Sequence, residues 1–170
     1  MARKKVTKVL WNLIFTIILM HSSIELSAEE DLELVVQLGH SATTNSVCFS
    51  PDNKYAVSGG KDSILVLWDV LTAKKIRSFS GHVGDINSVS FSPGMKKVLS
   101  GSEDGTVKLW DIDTGSELLT FEGHSGFVKS VCFSSDGRFV LSGGGDTQLE
   151  GELKLWDASS GKEILHNFRV

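Results

Sequence analysis

Short apolar and β-branched runs along this chain are separated by clusters of Gly, Pro, Asp, Asn and Ser. Three of the runs are nearly the same sequence: Ser-Val-Cys-Phe-Ser at 46–50, Ser-Val-Ser-Phe-Ser at 88–92 and Ser-Val-Cys-Phe-Ser at 130–134. Each feeds a turn, at Pro51-Asp52-Asn53, Pro93-Gly94 and Asp136-Gly137, where Pro and Gly set the backbone dihedrals. A second run follows (55–58, 97–100, 139–142), then a turn containing Gly and Asp, then a third run (64–68, 106–110, 152–156) and a fourth (75–80, 117–122, 163–168). Four short β-rich runs per unit, with turn residues between them, predict an antiparallel meander of four strands.

The unit is bracketed. Gly39-His40, Gly81-His82 and Gly123-His124 stand 42 residues apart, and each is followed by a Trp-Asp pair, Trp68-Asp69, Trp110-Asp111 and Trp156-Asp157. Self-similarity at this period describes a module that buries its apolar faces only by stacking on copies of itself. The period, the strand count and the Gly-His to Trp-Asp bracket resemble the WD-repeat β-propeller family over residues 32–170. The resemblance implies an all-β chain of three four-stranded antiparallel blades, with repeats at 39–80, 81–122 and 123–168 in a partial propeller over 29–170.

It also implies a hydrogen-bonded chain of four side chains inside each blade. The matching sets are His40, Ser58, Asp62 and Trp68; His82, Ser100, Asp104 and Trp110; and His124, Ser142, Asp146 and Trp156. A buried indole N–H and imidazole need partners, because a buried donor left unpaired costs about 1–3 kcal/mol. Ser, His and Asp in one unit also permit a reading as a hydrolytic triad. Triplication in scaffold register favours the structural role, and no catalytic residue is assigned.

The third copy departs from the pattern, with four more residues between Asp146 and Trp156 than the second has between Asp104 and Trp110. The extra residues fall around Thr147–Gly151, where an insertion reads as an extended loop. Counting them aligns His166 with Thr120 and Ser78, so it is a strand residue and not a fourth bracket histidine. Gly143-Gly144-Gly145 takes the place of Gly59 and Gly101 and reads as a turn, not a phosphate-binding loop. No Cys-x-x-Cys and no His-Glu-x-x-His is present, and neither a metal nor a cofactor is expected.

The first residues have another character. Arg3, Lys4, Lys5 and Lys8 precede an apolar stretch from Val9 to Met20 and a segment ending Leu26-Ser27-Ala28, the layout of an export signal over 1–28. A stretch this short falls below the roughly 20 residues of a membrane span, which favours a cleaved signal and an exported protein, periplasmic or secreted. Without that segment 13 basic residues face 20 acidic ones, a balance that speaks against nucleic acid and anionic membranes as partners. Glu29, Glu30, Asp31 and Glu33 read as a solvated leader. Cys48 and Cys132 hold matching positions two units apart, too far for the ~7 Å a disulfide requires, and are expected as free, buried thiols.

Blade arithmetic shapes the functional expectation. Propellers close with about 4–8 blades and this sequence writes three, so two apolar flanks need covers. Residues 33–38 align with the outer strand of a blade and form a spare strand; two copies arranged head to tail make six blades, so a homodimer is one expected solution. The spare strand of one copy would then pair with the third blade of the other, displacing 163–168, where Asn167 stands in for Phe79 and Phe121. The family likeness implies a non-catalytic protein–protein interaction scaffold with a protein partner. Candidate contacts follow each Gly-His pair: Thr43, Asn45, Asp85, Asn87, Phe127 and Lys129. Phe127 suits an anchor for a partner or packing on the adjacent blade. The alternative is the truncated repeat segment of a larger exported protein or enzyme, such as a protease; a hydrolase within these 170 residues has little support.

Overall fold

A computed structural model describes residues 39–145 and 151–166, which fall within one compact unit, Val36–Val170. The proposed signal segment 1–28, the spare strand 33–38, Asp146, Asn167 and Phe168 lie outside the described residues.

Twelve strands make three four-stranded antiparallel meanders. The first blade holds β1 (Thr44–Phe49), β2 (Tyr55–Gly60), β3 (Ile64–Asp69) and β4 (Lys75–Ser80). The second holds β5 (Ile86–Phe91), β6 (Lys97–Ser102), β7 (Val107–Asp111) and β8 (Glu117–Phe121). The third holds β9 (Val128–Phe133), β10 (Phe139–Gly144), β11 (Glu152–Asp157) and β12 (Glu163–His166). These are the runs that the turn spacing predicts. No described helix is long and apolar enough to cross a membrane.

Local chemistry sets the turns. Ser50 and Ser134 each donate a hydroxyl to an aspartate two residues on, Asp52 and Asp136, at 2.6 Å, which closes the turn after the first strand. The second blade has Gly94 at that position, and there Met95 takes the left-handed conformation at φ 57°. At the other outer turn the Asp of each Trp-Asp pair accepts from a main-chain N–H three residues ahead: Asp69 from Thr72 and Asp111 from Thr114 at 2.7 Å, and Asp157 from Ser160 at 2.8 Å. In each turn a side-chain oxygen takes the place of a backbone acceptor.

The core lies between the blades, because alternate strand residues face opposite sides of a sheet. One cluster joins the first two blades through Val57, Leu65, Phe79, Ile86, Val89 and Trp110. A second joins the next pair through Leu99, Leu109, Phe121, Val128, Val131 and Trp156. Neighbours in β6 serve different cores, Val98 the first and Leu99 the second, so the middle blade is buried on both faces. Burying each such side chain stabilises the stack by about 1.5–3 kcal/mol.

Each blade-to-blade contact seats side chains on a glycine. A β-carbon at Gly59 would lie 2.5 Å from Ile86 Cγ2, and one at Gly101 would lie 2.6 Å from Val128 Cγ1. Glycine in these strands marks the close approach of the next blade. Among the described residues no following or preceding blade covers the outer faces of the first and third blades, and the expectation for the cysteines is corrected. Both are free, but Cys48 is only half-buried and Cys132 is exposed, because Cys132 faces away from the second blade.

Candidate functional site

Within each blade one hydroxyl gathers two rings. His82 Nε2 lies 2.7 Å from Ser100 Oγ, and the Trp110 indole N–H donates to the same oxygen at 2.8 Å. His40, Ser58 and Trp68 in the first blade, and His124, Ser142 and Trp156 in the third, repeat the pattern at the same two distances. The strand register explains the meeting. Ser100 sits on β6 two residues from Val98, the partner of Trp110 across the β6–β7 ladder, and on the same face.

The protons can be placed. The Asp104 carboxylate can only accept and burial keeps His82 neutral, so Nε2 is bare and takes the Ser100 hydroxyl hydrogen while Oγ accepts from the indole. His82 then carries its proton on Nδ1 and donates it to Asp104 Oδ2 at 2.7 Å. The same contacts run from Trp68 through Ser58 and His40 to Asp62, at 2.9 Å for the last step. In the third blade the described acid is a glutamate. His124 Nδ1 bonds Glu152 Oε2 at 3.0 Å, while Asp146, the residue matched by sequence, lies outside the described residues. Glu152 occupies the place of Ile64 and Thr106 at the start of the third strand, and its longer side chain reaches the imidazole that a shorter Asp holds from the turn in the other blades.

The carboxylates also hold the loops. Asp62 accepts the main-chain N–H of Ser41 at 2.9 Å, Asp104 that of Val83 at 3.1 Å, and Glu152 that of Ser125 at 3.0 Å. One acid thereby fixes both the imidazole and the residue that opens the loop after it.

Charge follows environment. Burial, the dominant influence, pushes His82 and His124 below the ordinary imidazole range and outweighs the opposing pull of Asp104 and Glu152. Burial also pushes Asp104 up, but hydrogen bonds from Thr106 and His82 prevail and leave its carboxyl below the usual range. Each bond therefore joins a neutral imidazole to an ionised acid. For both histidines the unfolded chain takes up a proton first as pH falls. Their contribution to stability is complete above about pH 6.5, the unperturbed value, and is lost on acidification below it. Melting temperature should fall between pH 7.5 and 5, and His82→Asn should flatten that slope. A wild-type melting temperature constant across the interval would refute the assignment.

The distances from Ser to His to carboxylate also satisfy a nucleophilic triad, but access does not. Ser100 is fully buried, Ser58 and Ser142 nearly so, and each hydroxyl is engaged by an indole and an imidazole. No substrate carbon can approach. Among the described residues no group of three or more His, Cys, Asp and Glu side chains is placed to hold a metal ion.

The six candidate contact residues divide by geometry. Asn45 and Asn87 fall at the register shift between the first two strands of their blades, and each amide reaches the next blade, donating to Ile86 O at 3.1 Å and to Val128 O at 3.0 Å. Asp85 pairs with Lys61 across the same boundary at 3.8 Å. Thr43 is exposed. Phe127 keeps 40% of its surface open, with the Lys129 ammonium 4.8 Å above its ring and 3.7 Å from Glu103. Val83, which the sequence reading did not single out, is 89% exposed in the same loop layer. A branched apolar residue directly after Gly-His, where the other copies have Ser41 and Ser125, is the signal that marks it.

Comparison with known proteins agrees with this architecture. The family model for the WD domain, G-beta repeat, matches residues 32–69, 73–111 and 115–157. Over 40 residues the chain is 45% identical to the small ribosomal subunit protein RACK1 of Medicago sativa, an alignment covering 24% of this chain and 12% of that protein. The Glycine max protein of the same name is 42% identical over the same length, with the same coverage. The cross-pathway control WD-repeat protein 2 of Flammulina velutipes is 48% identical over 40 residues, covering 24% of this chain and 13% of that protein. The alignments thus take in about an eighth of each relative's length. A ribosomal subunit works inside the cell, so relatives bearing that name overturn the expectation of an exported, periplasmic or secreted protein. With three matched repeats over most of its length, three stacked meanders and one Trp–Ser–His–carboxylate chain per blade, this protein belongs to the WD-repeat family of β-propeller proteins.

Proposed function

We propose that the chain is a non-catalytic protein-interaction scaffold, and that it docks its partner on the loop layer that follows the Gly-His pairs. The observation that carries this reading is the anchoring of those loops. Each is held at its first residue by the carboxylate that also grips the histidine, so the loops are ordered before a partner arrives. Preorganised loops spare a complex the entropy of ordering them. Two apolar side chains, Val83 and Phe127, project from this layer beside Thr43 and Lys129. An exposed aromatic under a lysine has the character of an interface anchor. Asn45, Asp85 and Asn87 serve the reading indirectly, by fixing the spacing between loops.

A photoreactive amino acid placed in turn at Val83, Phe127 and Asp113 tests the proposal in cells, Asp113 being exposed at the opposite end of the second blade. Irradiation should give one discrete protein adduct from Val83 and Phe127, and none of that mass from Asp113. Equal labelling at all three positions, or none at either loop, would exclude this docking face.

A further inference from the structure

The loop end of the middle blade forms one continuous surface with the loop that follows it. The loop at 83–85 lies on the turn after β6: Asp85 O accepts the Glu103 N–H at 2.8 Å, and a β-carbon at Gly84 would lie 2.7 Å from Asp104 N. The far side of that turn meets the next loop, where a β-carbon at Gly105 would lie 3.5 Å from Gly126 O. Val83 and Phe127, both exposed, therefore belong to loops on either side of Glu103 and Asp104. The middle blade has a described neighbour against each face, so the exposure of its loop end does not depend on what stands beside the outer blades.

Charge is shared unevenly along the blades. Among the described residues this end holds six carboxylates, Asp62, Asp85, Glu103, Asp104, Glu122 and Glu152, against two ammonium groups, Lys61 and Lys129. The rest of the described chain has the opposite balance, with eight acidic residues and ten Lys or Arg. Both lysines of the loop end are already engaged, Lys61 with Asp85 and Lys129 with Glu103. Asp104 and Glu152 face neutral imidazoles, and among the described residues no Lys or Arg pairs with either. The surplus negative charge thus surrounds the two apolar side chains and is left for an incoming group to meet.

Granting docking at the loop layer, on which this rests, we infer that the partner presents a basic segment there, with a large apolar side chain seated between Val83 and Phe127 and Lys or Arg groups facing the surrounding carboxylates. Complementary charge steers such a segment to the surface and fixes its register, whereas an acidic segment brings like charges together and loses affinity. Guanidinium or ammonium groups form charge-assisted hydrogen bonds to carboxylates, roughly twice as strong as neutral ones.

Selection of a random dodecapeptide library on the immobilised full chain tests the sign of that charge. Two variants locate the binding, and each carries a residue that another blade has at the same position: Val83→Ser, as at Ser41 and Ser125, and Glu103→Lys, as at Lys61. Enriched peptides should be net basic with a large apolar residue. Synthesised singly, they should bind about ten-fold more weakly to either variant, and more weakly in high salt, which screens exposed charge. Acidic or uncharged peptides that still lose affinity on Val83→Ser would overturn the basic partner while leaving loop docking in place. Basic peptides indifferent to both variants would place their binding elsewhere and overturn both readings, and so would the absence of any enrichment over an unrelated acidic protein.

Discussion

Ser100→Ala is expected to destabilise the chain by about 2–6 kcal/mol, although it removes a single oxygen. That oxygen accepts the Trp110 indole N–H and donates to His82 Nε2, and both rings are almost wholly buried. Alanine leaves two polar groups without a partner in a site closed to solvent. An unsatisfied buried donor or acceptor costs about 1–3 kcal/mol, and here the two costs fall together. The loss should also spread. Trp110 packs on Phe79 at 6.0 Å between ring centres, so a displaced indole loosens the first inter-blade core as well as its own blade. Ser58→Ala is the internal control: the same bonds exist, but Trp68 is only half-buried and water can reach it, which reduces the expected cost to about 1 kcal/mol. Urea unfolding of both variants, with slopes compared to detect a change in cooperativity, measures the difference. Equal midpoints for the two would show that burial does not govern these bonds.

What the sequence made legible was whatever repeats. Turn residues, Gly-His and Trp-Asp pairs recur in register, and the strands they bracket appear in the structure at almost the same bounds. What stayed hidden depends on a blade's place in the stack or on a single departure from the repeat. Cys48 and Cys132 hold identical strand positions, and only the presence of a neighbour covers one and exposes the other. Glu152 was invisible as the partner of His124 because it stands at the strand position that Ile64 and Thr106 hold, two residues past the aspartate that serves the other blades. Asn45 and Asn87 read as free loop residues, since nothing local announces that their amides reach a carbonyl about 40 residues away, at 3.1 and 3.0 Å. The turn-closing role of Asp69, Asp111 and Asp157 was within reach, because an Asp followed three residues later by Thr or Ser is a local signal.

Gly101→Val should damage the stack strongly, and the same change at Gly143 should be nearly silent. Both glycines hold the same position in the second strand of a blade, so strand propensity and backbone entropy change alike. Only the next blade differs. At Gly101 the first added carbon would lie 2.6 Å from Val128 Cγ1 and 2.8 Å from Val131 Cγ1, inside the closest approach of carbon atoms, and valine adds two more. Val128 is fully buried and Val131 nearly so, so neither can turn aside without disturbing Leu99, Leu109 and Trp156 in the same core. Overpacking of this kind costs about 1–3 kcal/mol, and more where the obstacle is itself immobile. A sheet cannot relieve the clash residue by residue, so the third blade must move as a body and give up part of its buried contact. At Gly143 the nearest atoms stand 3.7 Å and more from the added carbon, an ordinary contact. Thermal unfolding should therefore show the melting temperature lowered by several degrees for Gly101→Val and by about a degree or less for Gly143→Val. Equal losses would place the cost in the strand backbone and not in the close approach of the next blade.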